Sequence, residues 1–221
     1  MTTDLLVGGK PLAVTIRPDG LHGLLGIPTS PKGLVIFAHG SGSGRLSPRN
    51  NHVASGLREA GLATLLIDLL TPDEEQDRTK VFDIPLLASR LSGAATWVRL
   101  VPELRRLPIG YFGASTGAGA ALLAASTAGS DIAAIVSRGG RPDLAGAKAL
   151  ARVRAATLLI VGSRDVPVID LNRVAMRHLR VEKQLVIVPG ATHLFEEPGT
   201  LDEVIRHATG WFARHFEEVG R

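Results

Sequence analysis

The chain contains no cysteine. That excludes disulfide staples, thiolate metal ligands and a cysteine nucleophile together. Aromatic residues make up only 4% of the sequence, too few for the stacked rings that hold single-stranded nucleic acid. No window reaches the roughly 18 uninterrupted apolar residues of a membrane span. Met1, Thr2, Thr3 and Asp4 do not open a basic segment followed by an apolar run, as a secretory leader would. A soluble, cytoplasmic protein without a membrane partner is expected. The 13 Pro and 25 Gly follow no triplet period, so a fibrous repeat is out.

What remains is ordinary globular composition: 221 residues, 45% hydrophobic and 21% charged. That length fits one domain over residues 1–221. The net charge of +4 is scattered rather than gathered as a nucleic-acid binder would gather it. One stretch does concentrate it: Arg138, Arg141, Lys148, Arg152 and Arg154 stand against Asp143 alone. A solvated face explains this, and so does an anion-attracting rim beside a site.

Residues 11–17 and 21–27 are extended and joined by the turn Pro18-Asp19-Gly20, which reads as an antiparallel pair at a sheet edge. Short apolar runs follow at 34–38, 63–69, 109–112, 132–137, 157–161 and 184–188. Runs this short and this rich in Val, Ile and Leu fit strands buried on both faces. Helical spacing fills the gaps at 52–60, 84–100, 116–128, 144–151, 170–180 and 201–218. The alternation predicts an α/β fold with a mostly parallel central sheet and helices on both faces. Ligands then bind outside the carboxyl ends of the strands, so the residues just past each strand carry the function.

Gly113-Ala114-Ser115-Thr116-Gly117 follows a strand and opens an Ala-rich helix. This G-x-S-x-G pattern suits a sharp strand-to-helix turn whose crowded flanks demand small residues, leaving the serine hydroxyl free at a helix N-terminus. A Gly-rich helix start is the plain alternative, and the strand–turn–helix context argues against it. The serine needs a base, and the base needs an orienting acid. Of the seven His, His52, His178, His207 and His215 fall within helices and His22 in the hairpin. His39 precedes a Gly-rich turn and reads as its scaffold. His193, after the last strand, is the candidate base. Asp165, after the strand ending at Val161, is the candidate acid, with a helix N-cap as its bland reading. The order Ser115, Asp165, His193 is that of α/β-hydrolases.

An oxyanion needs two donors. The Thr116 amide supplies one. The loop His39-Gly40-Ser41-Gly42-Ser43-Gly44-Arg45 should supply the other, from Ser41 or alternatively Gly42. A dinucleotide loop would need Gly where Arg45 stands, and no Walker Gly-Lys-Ser/Thr appears. No metal motif appears either, so neither metal nor cofactor is expected.

These segments, with Ser137-Arg138-Gly139-Gly140-Arg141-Pro142-Asp143, resemble the α/β-hydrolase superfamily and, within it, dienelactone hydrolase-like proteins. The resemblance covers nearly the whole chain from about Gly33. It implies ester hydrolysis through an acyl-enzyme, on Ser115 where dienelactone hydrolase proper uses cysteine. The Ser137–Asp143 segment is similar to a bacterial subgroup sometimes joined to a phosphoribosyltransferase domain, which these residues do not show. The short connection after residue 137 leaves room for only a small cover, so an open or shallow site reached by small soluble esters is expected. Gly42, Arg45, Arg138 and Arg141 all follow strands and are candidates for substrate binding. The rivals are a non-catalytic scaffold on the same fold, and a lactone hydrolase, thioester hydrolase or acyltransferase using the same triad.

Overall fold

The computed structural model describes residues 10–219; residues 1–4, read above for a leader, lie outside them. Eight strands run β1 (Leu12–Ile16), β2 (Leu21–Gly26), β3 (Leu34–Ala38), β4 (Ala63–Ile67), β5 (Ile109–Ala114), β6 (Ile132–Arg138), β7 (Ala156–Gly162) and β8 (Lys183–Val188) among the described residues. They form one sheet in the order β1-β2-β4-β3-β5-β6-β7-β8. β1 pairs antiparallel with β2, and β2 with β4. The pairs from β4 through β3 to β8 are all parallel. The antiparallel edge and the parallel body are as the sequence indicates.

Both sheet faces are covered. Along β3, Leu34 and Ile36 face one apolar cluster while Val35 and Phe37 face the other. Alternate residues thus enter opposite cores, so the strand reads as an unbroken apolar run. On the first face lie α4 (Ile84–Leu100) and α5 (Thr116–Ala125); on the second lie α1 (Pro48–Glu59) and α8 (Thr200–Val219). α5 is Gly- and Ala-rich and buried nearly all round, which lets it lie close against β5.

Three helical readings need correction. α1 begins four residues before residue 52, because Ser47 caps it and Pro48 fills its first turn. α7 (Val166–His178) likewise starts four residues early, with Pro in its first turn. The expected helix at 144–151 is two pieces. A 3-10 turn at Pro142–Ala145 gives way to α6 (Ala147–Leu150) at Gly146, whose φ of 78° no continuous helix allows.

Two further helices, α2 (Pro72–Glu75) and α3 (Arg78–Val81), stand between β4 and α4. They carry no buried residue, so no hydrophobic period marks them. No large cap follows β6. Among the described residues, no helix is long and apolar enough to cross a membrane.

Candidate active site

Ser115 sits where β5 turns into α5, with φ 50° and ψ −121°. A non-glycine residue pays for such a backbone, and the surrounding structure must hold it there. Its N–H donates to the Arg138 carbonyl at 3.3 Å, and its own carbonyl accepts from the Arg141 and Ala118 N–H groups at 3.0 and 3.1 Å. A Cβ on Gly113 would overlap the Ala118 backbone, and one on Gly117 would overlap the Ala38 and His39 carbonyls. The two glycines of the motif are thus steric necessities. The serine side chain caps nothing.

Strands lie about 4.8 Å apart, so the end of β8 is roughly 14 Å from that of β5. The loop carrying His193 must therefore lean back across β6, and it does. A Cβ on Gly139 would lie 2.9 Å from the His193 carbonyl and 3.5 Å from its Nδ1. The turn after β6 is thus a common wall for Ser115 and His193. Asp165 stands at the N-cap position of α7 but caps nothing. Its Oδ2 instead accepts a hydrogen bond from His193 Nδ1 at 2.6 Å. Asp165 keeps 12% of its side chain exposed and His193 37%, so the acid is shielded while the base is reachable. That pairing directs Nε2 away from the acid. No hydrogen bond joins the imidazole to Ser115 in this conformation; such bonds tighten once a reacting group lies between the partners.

The loops beneath are zipped together. Arg164 N–H donates to the Ala191 carbonyl, and Gly190 N–H to Ser163 Oγ. Glu197 Oε2 accepts from Thr192 N–H at 3.0 Å, and that bond holds its carboxyl below the usual range. Buried Asn172 of α7 donates to the Gly140 carbonyl at 3.0 Å. The sequence does signal Asn172, as an amide on the apolar stripe of Val168, Ile169 and Ala175, but the carbonyl it serves is 32 residues away.

His39 is the scaffold of its turn. Its Nε2 accepts the Leu69 N–H at 2.9 Å, so Nδ1 carries the proton and donates to the Gly40 carbonyl at 2.9 Å. Burial lowers its pKa from 6.5. The unfolded chain therefore takes up this proton at a higher pH than the native one, and stability falls as pH drops below about 6.5. A His39→Gln variant should show a smaller loss of urea midpoint between pH 7.5 and 5.5 than the parent. Equal losses would show that His39 does not contribute to the acid sensitivity.

The Ser41 amide differs from expectation. It donates to Thr116 Oγ1 at 3.0 Å, across 75 residues of chain, and so does not stand free. The Thr116 N–H opens α5, where no intrahelical acceptor exists. Gly42, at φ 69°, forms the turn closed by Ser43 N–H on the Gly40 carbonyl. Two of the expected substrate-binding arginines are also engaged. Arg45 pairs with Asp68 through both backbone and side chain. Arg141 grips Asp143 with two bonds of 2.9 and 2.8 Å.

A cleft of about 870 Å³ adjoins the site. Gly40, Ser41 and Thr116 form its floor, and Leu46, Leu70 and Phe82 its apolar wall. Glu75 of α2 and Arg78 and Val81 of α3 line its side, so the small wall beside the site comes from the connection between β4 and α4 rather than from one after β6.

No family model matches the chain. A solved dienelactone hydrolase from Anabaena variabilis is 54% identical, with a TM-score of 0.87, covering 93% of this chain and 96% of that one. Est1E from Butyrivibrio proteoclasticus has the same fold at 14% identity and a TM-score of 0.79, covering 95% and 100%. Two Mycobacterium tuberculosis proteins, provisionally named phosphoribosyl transferases, are 56% identical over 202 residues. That match takes in 91% of this chain but only 45% of their length.

Proposed function

The chain belongs to the dienelactone hydrolase-like α/β-hydrolases, and from that premise we propose that it is a cofactor-independent serine hydrolase of carboxylic esters. The observation that carries the reading is the Asp165–His193 bond packed against the Gly139 turn, next to the Arg138 and Arg141 backbone groups that hold Ser115 at positive φ. Ser115 Oγ attacks the acyl carbon while His193 Nε2 takes its proton. Asp165 keeps the proton on Nδ1 and offsets the charge of the imidazolium. The Thr116 N–H and an amide of the 41–42 turn hold the oxyanion. For Ser41 to serve, Thr116 Oγ1 must release it. His193 then returns the proton to the leaving alcohol, and water resolves the acyl-enzyme by the same steps. The apolar wall of the cleft suits the acyl or alcohol part of the ester. The transferase name of the Mycobacterium tuberculosis relatives stays with those proteins.

A fluorophosphonate probe tests the reading directly. Mass spectrometry should find one adduct per chain, on Ser115. No adduct, or one on another serine, would favour a scaffold role. Product analysis over ester, lactone and thioester panels then separates hydrolysis of each class from acyl transfer.

A further inference from the structure

Asn172 of α7 is fully buried. It lies two helical turns beyond Asp165, so both side chains leave the same side of the helix. Its Nδ2 donates to the Gly140 carbonyl at 3.0 Å and to the Val168 carbonyl, one turn back, at 2.7 Å. Two carbonyls facing one end of the amide identify that end as the nitrogen. Its Oδ1 is buried with no partner. A half-satisfied buried amide costs stability that an apolar side chain of its size would not. Packing therefore does not explain the residue, and its donor does.

The carbonyl it serves belongs to the peptide that joins Gly140 to Arg141. The N–H of that same peptide donates to the Ser115 carbonyl at 3.0 Å. The peptide is trans, so its C=O and N–H point in opposite directions. Drawing the C=O toward α7 turns the N–H toward the nucleophile turn, and rotation of the plane would break both bonds. Sterics confine it further, since a Cβ on Gly140 would overlap Ser137 Oγ and Ala118 Cβ. Arg138, its side chain buried, serves the turn through its carbonyl, which accepts the Ser115 N–H at 3.3 Å. The direction of the Ser115 carbonyl is its ψ of −121°, which with φ 50° makes the strained backbone of the turn.

We propose that Asn172 is a positioning residue: through the 140–141 peptide it fixes the backbone of Ser115 relative to the helix that carries Asp165. It touches no reacting atom. Its effect on rate rests on the ester-hydrolase reading, whereas its hold on the turn does not.

Two variants of the full chain test this. Asn172→Leu keeps the volume and removes the donor. Asn172→Ser returns a hydroxyl to the Val168 carbonyl but cannot reach Gly140. Amide hydrogen exchange, read residue by residue by NMR, reports on the peptide itself. In the parent the Arg141 N–H should exchange slowly, and fast exchange there would overturn the proposal whether or not the variants fold. In both variants it should exchange about tenfold faster relative to the amides of β3. For p-nitrophenyl butyrate, kcat should fall by about 10- to 100-fold with KM within about threefold, and fluorophosphonate labelling of Ser115 should slow in proportion. Ala175→Gly loosens the same helix and leaves the amide in place; it should keep the parent kcat and the parent Arg141 exchange. Parent-like Arg141 exchange in a folded variant would overturn the proposal. So would a parent-like kcat there, or an equal loss of kcat in Ala175→Gly. Turnover that depends on Ser115, with Arg141 exchange unmoved, would reject Asn172 and keep the hydrolase. A parent that neither turns over esters nor takes the probe would remove the hydrolase, and Arg141 exchange would still decide on Asn172.

Discussion

Replacing Ser115 by Ala is expected to lower kcat for p-nitrophenyl acetate or butyrate by about 10⁴–10⁶-fold, as loss of a covalent nucleophile does. The fold should not change. The side chain makes no capping bond, and the turn is held by backbone bonds to Arg138, Arg141 and Ala118 that alanine can make equally well. Circular dichroism and the urea midpoint should match those of the parent. Alanine at φ 50° is no better placed than serine, so no stabilisation can masquerade as an effect on rate. A variant that keeps more than about a tenth of the parent rate would remove Ser115 from the chemistry and with it the acyl-enzyme.

Asp165→Asn should cost about 10³–10⁴-fold in kcat while leaving KM within a few-fold. The carboxylate accepts a hydrogen bond from His193 Nδ1–H at 2.6 Å, which fixes the tautomer with a bare Nε2. Asparagine can turn its NH₂ toward the ring and favour the opposite tautomer, whose Nε2 carries the proton and cannot accept one. Asp165 caps nothing, so the change should leave α7 and stability nearly untouched. A loss of stability with little loss of rate would instead make Asp165 a structural residue. Both variants can be read in one assay, and the double variant should be no worse than Ser115→Ala alone, since the two groups act as a unit.

How much of this was legible in the sequence depends on whether the deciding contact is local. The Ser115 turn was legible because sterics confine its neighbours to small residues within five positions. The Asp165–His193 pair was legible because a parallel sheet gathers the loops after its strands at one edge; the order Ser115, Asp165, His193 was read from the resemblance. The pairing of Arg45 with Asp68 was not, since the partner is 23 residues off and on another strand end. Arg141 was closer to legible: Asp143 is two residues on. The Ser41 N–H donates to the Thr116 hydroxyl, tying one expected oxyanion donor to the side chain of the residue that carries the other, an outcome that spacing cannot express. α2 escaped notice for another reason. Its cap, Thr71 with Glu74, is a readable signal, but four residues are too few to show a period.

The wall beside the cleft bears on how this scaffold can diversify. α2 and α3 bury no residue fully and lend only Val81 to the edge of one core, whereas Ser115, Asp165 and His193 hang from strand ends buried in both. Insertions, deletions or swaps in residues 71–80 can therefore reshape the side of the cleft while the sheet beneath loses little packing. Selectivity is free to drift on a floor whose chemistry is mechanically insulated from it.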